Sequence, residues 1–208
     1  AVRIESNSAG PEFDSIRTAS INAMVAGDVE ATGRAMLCTA GPDGLSWWRE
    51  REGQWVSDHV VRRSMASSEG LASVDLTGDG SLDLIDGTGG GWSVWSAGGG
   101  EPLVEMKMDS CLTWAPVMLQ PSRGPAIVSV QPDGLRVDGA GSGRFEFVPL
   151  RFTGKTDTGQ SMRSNASGVG TRVAARVGSR WTVTGTLRSD SGPGQSLQPL
   201  AIGLGGSP

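Results

Sequence analysis

Short aliphatic runs separated by glycine- and aspartate-rich turns set the pattern of this chain. Leu71-Ala-Ser-Val-Asp-Leu is followed by a polar stretch and then by Leu82-Asp-Leu-Ile, which predicts two strands of a hairpin with a loop at its tip. The arrangement recurs on either side, because residues 25–37, 72–84 and 115–127 agree in kind. From Asp28, Asp75 and Met118, the turn glycines Gly44, Gly91 and Gly134 each lie 16 residues on. That second turn reads Pro42-Asp43-Gly44-Leu45, Gly89-Gly90-Gly91-Trp92 and Pro132-Asp133-Gly134-Leu135. Asp-Gly and Gly-Gly are strong hairpin punctuation. A third turn follows at Glu52-Gly53, Gly99-Gly100 and Ser142-Gly143, each ahead of an apolar strand such as Gln54-Trp55-Val56 or Arg144-Phe145-Glu146-Phe147.

The chain is therefore expected to hold three units of four strands, with starts 47 and 43 residues apart. A period of this length with four strands per unit is the pattern of a β-propeller blade, a small twisted sheet that must stack on its neighbours. Propellers typically have about 4–8 blades, so the expectation is an all-β fold in which three blades belong to a larger propeller. Residues 1–24 read as the end of a preceding blade, with an outer strand around Phe13, residues 25–149 as the three blades, and residues 150–208 as a small β-rich C-terminal domain. In that last part Arg172-Val-Ala-Ala-Arg-Val and Arg180-Trp-Thr-Val-Thr-Gly-Thr-Leu flank Gly178-Ser179 and predict a hairpin. The rigid stretch Ser191-Gly192-Pro193-Gly194-Gln195 reads first as a structural loop; its backbone amides also suit an anion.

Composition supports many turns. The 208 residues include 32 glycines and no tyrosine, and 37% are hydrophobic. No apolar run approaches membrane-spanning length, so no span is expected. The first residues have neither an apolar leader stretch nor an initiator methionine, which fits a mature protein or part of a longer one. Charge is uneven: residues 1–150 carry 11 Lys/Arg and 20 Asp/Glu, and residues 151–208 carry 7 and 2. The switch from −9 to +5 suggests a boundary near residue 150. It points to a basic tail docked near its acidic neighbour or, as a weaker alternative, bound to an acidic partner such as a polysaccharide. Nothing in the sequence suggests nucleic-acid binding.

The candidate chemistry lies in Asp75-Leu-Thr77-Gly-Asp79-Gly-Ser81-Leu-Asp83. Asp75, Thr77, Asp79 and Asp83 occupy loop positions 1, 3, 5 and 9, and a backbone carbonyl near Ser81 can fill position 7. Ca²⁺ takes six to eight oxygens, and a tight loop that turns alternate residues inward supplies most of them. Gly80 permits the sharp turn. An EF-hand is excluded, because the flanks read as strands and position 12 is Asp86 instead of Glu. The plain alternative is an Asp/Gly turn with its carboxylates in water. The equivalent positions elsewhere are Asp28, Glu30, Thr32 and Met36, and Met118, Gln120, Ser122 and Ala126. These predict one metal site, not three.

The blade pattern with its Asp-x-Thr-Gly-Asp-Gly-x-x-Asp hairpin resembles the FG-GAP/VCBS repeats of integrin-type propellers, although Thr77 stands where that family often has Asp or Asn. The tail resembles the ASPIC/UnbV domain in three blocks: Met162 to Val173, Ser191 to Pro199, and Ile202-Gly203-Leu204-Gly205. Together the two modules resemble the cartilage acidic protein-like family. The resemblance implies a secreted or envelope-facing calcium-binding propeller with a small β-rich cap, and no known catalytic activity.

The remaining residues sharpen this picture. His59 is the sole histidine, on what reads as an outer strand, and no nucleophile-elbow motif accompanies it. Carboxylate pairs for glycoside hydrolysis can meet from distant blades, but nothing local marks them. Six of the seven tryptophans lie between residues 47 and 114. They suit either glycan stacking or packing between blades. Trp48 and Trp95 share one repeat position, which argues for packing, and Trp47 is expected to face the other way. Cys38 and Cys111 fit no zinc spacing and read as buried thiols rather than a disulfide. Asn165-Ala-Ser167 is a glycosylation sequon of use only in a eukaryotic secretory pathway. The expectation is a non-catalytic extracellular Ca²⁺-binding module for adhesion or for a protein or glycan ligand. A glycan-active or glycan-binding propeller protein is the alternative.

Overall fold

The computed structural model describes residues 20–61, 70–96, 99–153, 168, 170–186, 189–190 and 199–205. Among the described residues the fold is all-β and built from several antiparallel sheets, with no closed barrel. The expected outer strand around Phe13, most of residues 1–24, the sequon and the Ser191 loop lie outside the described residues.

Strands β1 (Ala23–Gly27), β2 (Met36–Gly41), β3 (Gly44–Arg51) and β4 (Gln54–Val61) form a consecutive antiparallel meander. β5 (Gly70–Val74), β6 (Asp83–Thr88), β7 (Gly91–Trp95) and β8 (Val104–Lys107) form a second with the same order. The two-residue turns that join β2 to β3 and β6 to β7 fall on the Asp-Gly and Gly-Gly signals. A third sheet holds β9 (Thr113–Val117), β10 (Ala126–Gln131) and β11 (Gly134–Asp138), with one 3₁₀ turn at Pro121–Arg123 between β9 and β10.

The third unit departs from the expected four strands. The segment expected to be its outer strand begins later, as β12 (Phe147–Leu150), and pairs with β16 (Leu200–Gly203). Gly139, Gly141 and Gly143 precede it, so this stretch has few side chains to pack against β11. The apolar Phe147 is instead buried with its ring against Gly78 and Gly124. The expected tail hairpin is present as β13 (Arg172–Val177) and β14 (Arg180–Gly185). The short β15 (Ser189–Asp190) adds to the free edge of β1. Two strand pairings thus cross residue 150.

The three meanders stack face to face. Val25, Cys38, Leu45 and Trp47 of the first sheet meet Leu71, Leu84 and Trp95 of the second in one buried cluster. Ala72, Ile85, Trp92 and Val94, on the opposite face of the second sheet, meet Trp114 and Ile127 of the third in another. The middle sheet buries side chains on both faces because both are covered, and every residue of β6 and β7 is buried. Gly87 is required here: a Cβ would lie 1.6 Å from Trp114 Nε1, so the indole rests directly on bare backbone.

Trp47 is fully buried, whereas Trp48 is half-buried with its Nε1 donating to Thr39 Oγ1 at 2.9 Å. This corrects the assignment of Trp48 to the core, although the two tryptophans do face opposite ways. Alternation along β3 sets Trp48 on the opposite face from Trp47, and the second sheet covers only the face that carries Trp47. Cys38 and Cys111 are buried as thiols in separate clusters, with Cys111 Sγ donating to the Thr113 carbonyl at 3.5 Å, and burial pushes the Cys38 thiol up to about 12.

Candidate metal loop and its C-terminal clasp

Asp75 directly follows β5 and Asp83 opens β6, so both carboxylates lie at the neck of one loop; both are 3% exposed. Gly78 and Gly80 have φ of +81° and +85°, a region that non-glycine residues rarely enter, and they coil the loop tightly between them. The inward backbone N–H groups then find the carboxylates. Asp75 Oδ1 accepts from Gly78 N at 2.7 Å, and its Oδ2 accepts from Gly80 N at 3.0 Å. Asp83 Oδ2 accepts from Leu76 N at 2.8 Å and Thr77 N at 2.9 Å, and the Thr77 side chain also bonds to Asp83. Asp79 Oδ1 accepts from Ser81 N at 2.8 Å.

The distant C-terminal segment completes the loop. Gly203 N donates to Asp75 Oδ2 at 2.9 Å, and Gly205 N donates to the Gly78 carbonyl at 2.9 Å. Thr182 Oγ1 donates to the Gly80 carbonyl. Arg180 Nη1 pairs with Asp79 Oδ2 at 2.9 Å. A Cβ on Gly203 would sit 2.2 Å from Gly78 backbone and 2.4 Å from Asp75 Oδ2, so only glycine allows this approach.

The first hairpin repeats the device. Asp28 accepts from Thr32 N at 2.9 Å, Gly33 N at 2.8 Å and Val183 N at 3.0 Å. Aspartate at loop position 1 thus binds two N–H groups of its own loop and one from the C-terminal segment in both units. The shared position was visible in the sequence; the donors more than a hundred residues away carried no local signal.

Burial governs the charge of the site. Asp75 is raised to about 7 and Asp83 to about 6, in each case chiefly because burial disfavours the carboxylate. Backbone N–H groups pull both back down, and repulsion among Asp75, Asp79 and Asp83 adds to the rise. Arg144 lies within electrostatic reach of Asp75 and Asp83. Its guanidinium lies 5.2 Å from the centre of the Phe147 ring and donates to the Pro125 carbonyl at 2.8 Å, and burial lowers its pKa.

Asp79, Ser81 and Asp83 line a cleft of about 420 Å³ together with Glu30, Thr32 and Arg180, between the first and second hairpin loops. Their oxygens are the hard donors that Ca²⁺ prefers. Among the described residues, however, no three acidic, cysteine or histidine side chains gather as a ready metal cluster. Both Asp75 oxygens accept N–H groups, and Asp79 is held by Ser81 and Arg180. The donor chemistry fits a hard cation, while the arrangement is that of a loop tied by its own amides.

The stacked sheets and the tied acidic loop define an all-β protein of several antiparallel sheets. No protein-family model, no curated protein and no solved structure matches the chain.

Proposed function

We propose that this chain is a non-catalytic, extracellular or cell-envelope Ca²⁺-binding module, made of FG-GAP/VCBS-like propeller blades capped by an ASPIC/UnbV-like segment, that serves adhesion or a protein or glycan ligand. One observation carries the reading: Asp75 and Asp83 are buried side by side at the neck of one hairpin, where their charge is disfavoured and they repel Asp79. A divalent cation in the adjoining cleft, which Asp79, Ser81 and Asp83 line, would relieve both penalties. Asp75, Thr77, Asp79, Ser81 and Asp83 would hold it, and Ca²⁺ would brace the loop electrostatically. The stacked meanders support the propeller reading, since each sheet covers a face that its neighbour leaves bare.

Calorimetric titration with Ca²⁺ tests the site. One site is expected, and it weakens on Asp83→Asn. Two or more tight sites, or none at millimolar calcium, contradict the proposal.

The glycan-binding alternative loses Trp47, the tryptophan expected to face away from the packed pair, because it is 0% exposed and cannot stack on a sugar. No other observation favours it.

A further inference from the structure

The acidic loop already holds a cation of the chain's own. Arg180 opens β14, 101 residues after Asp79, and its Nη1 reaches three oxygens of the loop. It donates to Asp79 Oδ2 at 2.9 Å, to the Asp79 carbonyl at 3.3 Å and to Ser81 Oγ at 3.5 Å. Asp79 Oδ1 accepts from Ser81 N, which leaves Oδ2 for a cation. Arg180 also lines the cleft beside Asp79, Ser81 and Asp83.

The second cation near the loop is held differently. Arg144 lies within electrostatic reach of Asp75 and Asp83, but it is half-buried, bonded to the Pro125 carbonyl and set over the Phe147 ring. The Arg180 side chain is 53% exposed, at the open side of the cleft, and can swing into water.

We propose that Arg180 and Ca²⁺ compete for the same loop oxygens, so that Arg180 is a built-in brake on calcium affinity. The proposal rests on the calcium reading above. Ca²⁺ draws its oxygens in to about 2.3–2.6 Å and needs six to eight of them. The guanidinium takes two of the side-chain oxygens counted for it, Asp79 Oδ2 and Ser81 Oγ. One positive charge about 5 Å from a divalent ion lowers its affinity by roughly tenfold, even at the dielectric of water. Without metal, Arg180 offsets the Asp79 charge that Asp75 and Asp83 repel. With metal, it is expelled, and the tail hairpin keeps its hold on the loop through Thr182 and the Gly80 carbonyl.

Calorimetric titration of the full chain with Ca²⁺ tests the competition. Arg180→Gln should bind about tenfold more tightly than wild type. Arg176→Gln removes a positive charge from the same hairpin, where Arg176 bonds to the Gly178 carbonyl, and should leave affinity within about twofold. Wild type that binds, with Arg180→Gln binding equally or more weakly, overturns the competition and leaves the calcium reading standing. An equal gain in Arg176→Gln reduces the effect to net charge and overturns the shared oxygens. Failure of wild type and Arg180→Gln alike at millimolar calcium overturns the calcium reading and the competition together. Binding by Arg180→Gln alone supports the brake and takes calcium away from the wild type.

Discussion

Asp75 and Asp28 are structural acceptors whatever else the loops do. Removing the Asp75 carboxylate leaves the buried N–H groups of Gly78, Gly80 and Gly203 without their acceptor. An unsatisfied buried donor costs about 1–3 kcal/mol. Asp75→Ala should therefore destabilise by about 3 kcal/mol or more in urea titration. A loss under about 1 kcal/mol would show that these bonds do not hold the loop. The pH dependence has a definite sign. In the fold Asp75 and Asp83 titrate at about 7 and about 6, above the ordinary 3.8. Between those limits the folded chain keeps protons that the unfolded chain has released, so protonation favours folding. For these two groups, metal-free protein should gain stability as pH falls from about 7 to about 5 and lose it as pH rises back through that window. Melting in chelator follows this directly; Asp83→Asn should flatten the slope, and an unchanged slope would sink the assignment. Which aspartates matter was legible in the chain, because they recur at one loop position. That they spend their oxygens on amides was not, since Val183 and Gly203 come from far away.

At the scale of strands, the turn glycines placed every hairpin of the first two units, because Gly44 and Gly91 each close a two-residue turn. The tail hairpin around Gly178 was equally legible, with full pairing from Arg172 to Gly185. The fourth strand of the third unit was not. Its apolar residues suited a strand, but strand pattern does not name a partner, and β12 pairs with β16. Tryptophan packing also exceeded the sequence, since alternation puts Trp47 and Trp48 on opposite faces but does not say which face the second sheet covers. The two residues now carry different expectations. Trp47→Ala should cost about 3–5 kcal/mol, as large-to-small changes in a packed core do. Trp48→Ala should cost less, because its ring is half in solvent and gives up one hydrogen bond to Thr39. Chemical denaturation of the pair checks this, and equal losses would contradict the two-faced placement.

Across the whole molecule, the C-terminal segment acts as a clasp over the loops of the first two sheets. The charge switch near residue 150 correctly suggested contact between a basic tail and acidic neighbours, but charge is a minor part of it. Arg180 and Asp79 are 53% and 33% exposed as side chains, and such surface pairs contribute about 0–1 kcal/mol. The buried aspartate-to-amide bonds to Val183 and Gly203 do more. This clasp shields the buried carboxylates from water, which is why a bound cation should register in the stability of the entire fold. Melting the chain in millimolar Ca²⁺ and in excess chelator tests that claim most directly. Wild type should melt several degrees higher with calcium, and Asp83→Asn should show little difference; identical curves for wild type in the two conditions would contradict the calcium account.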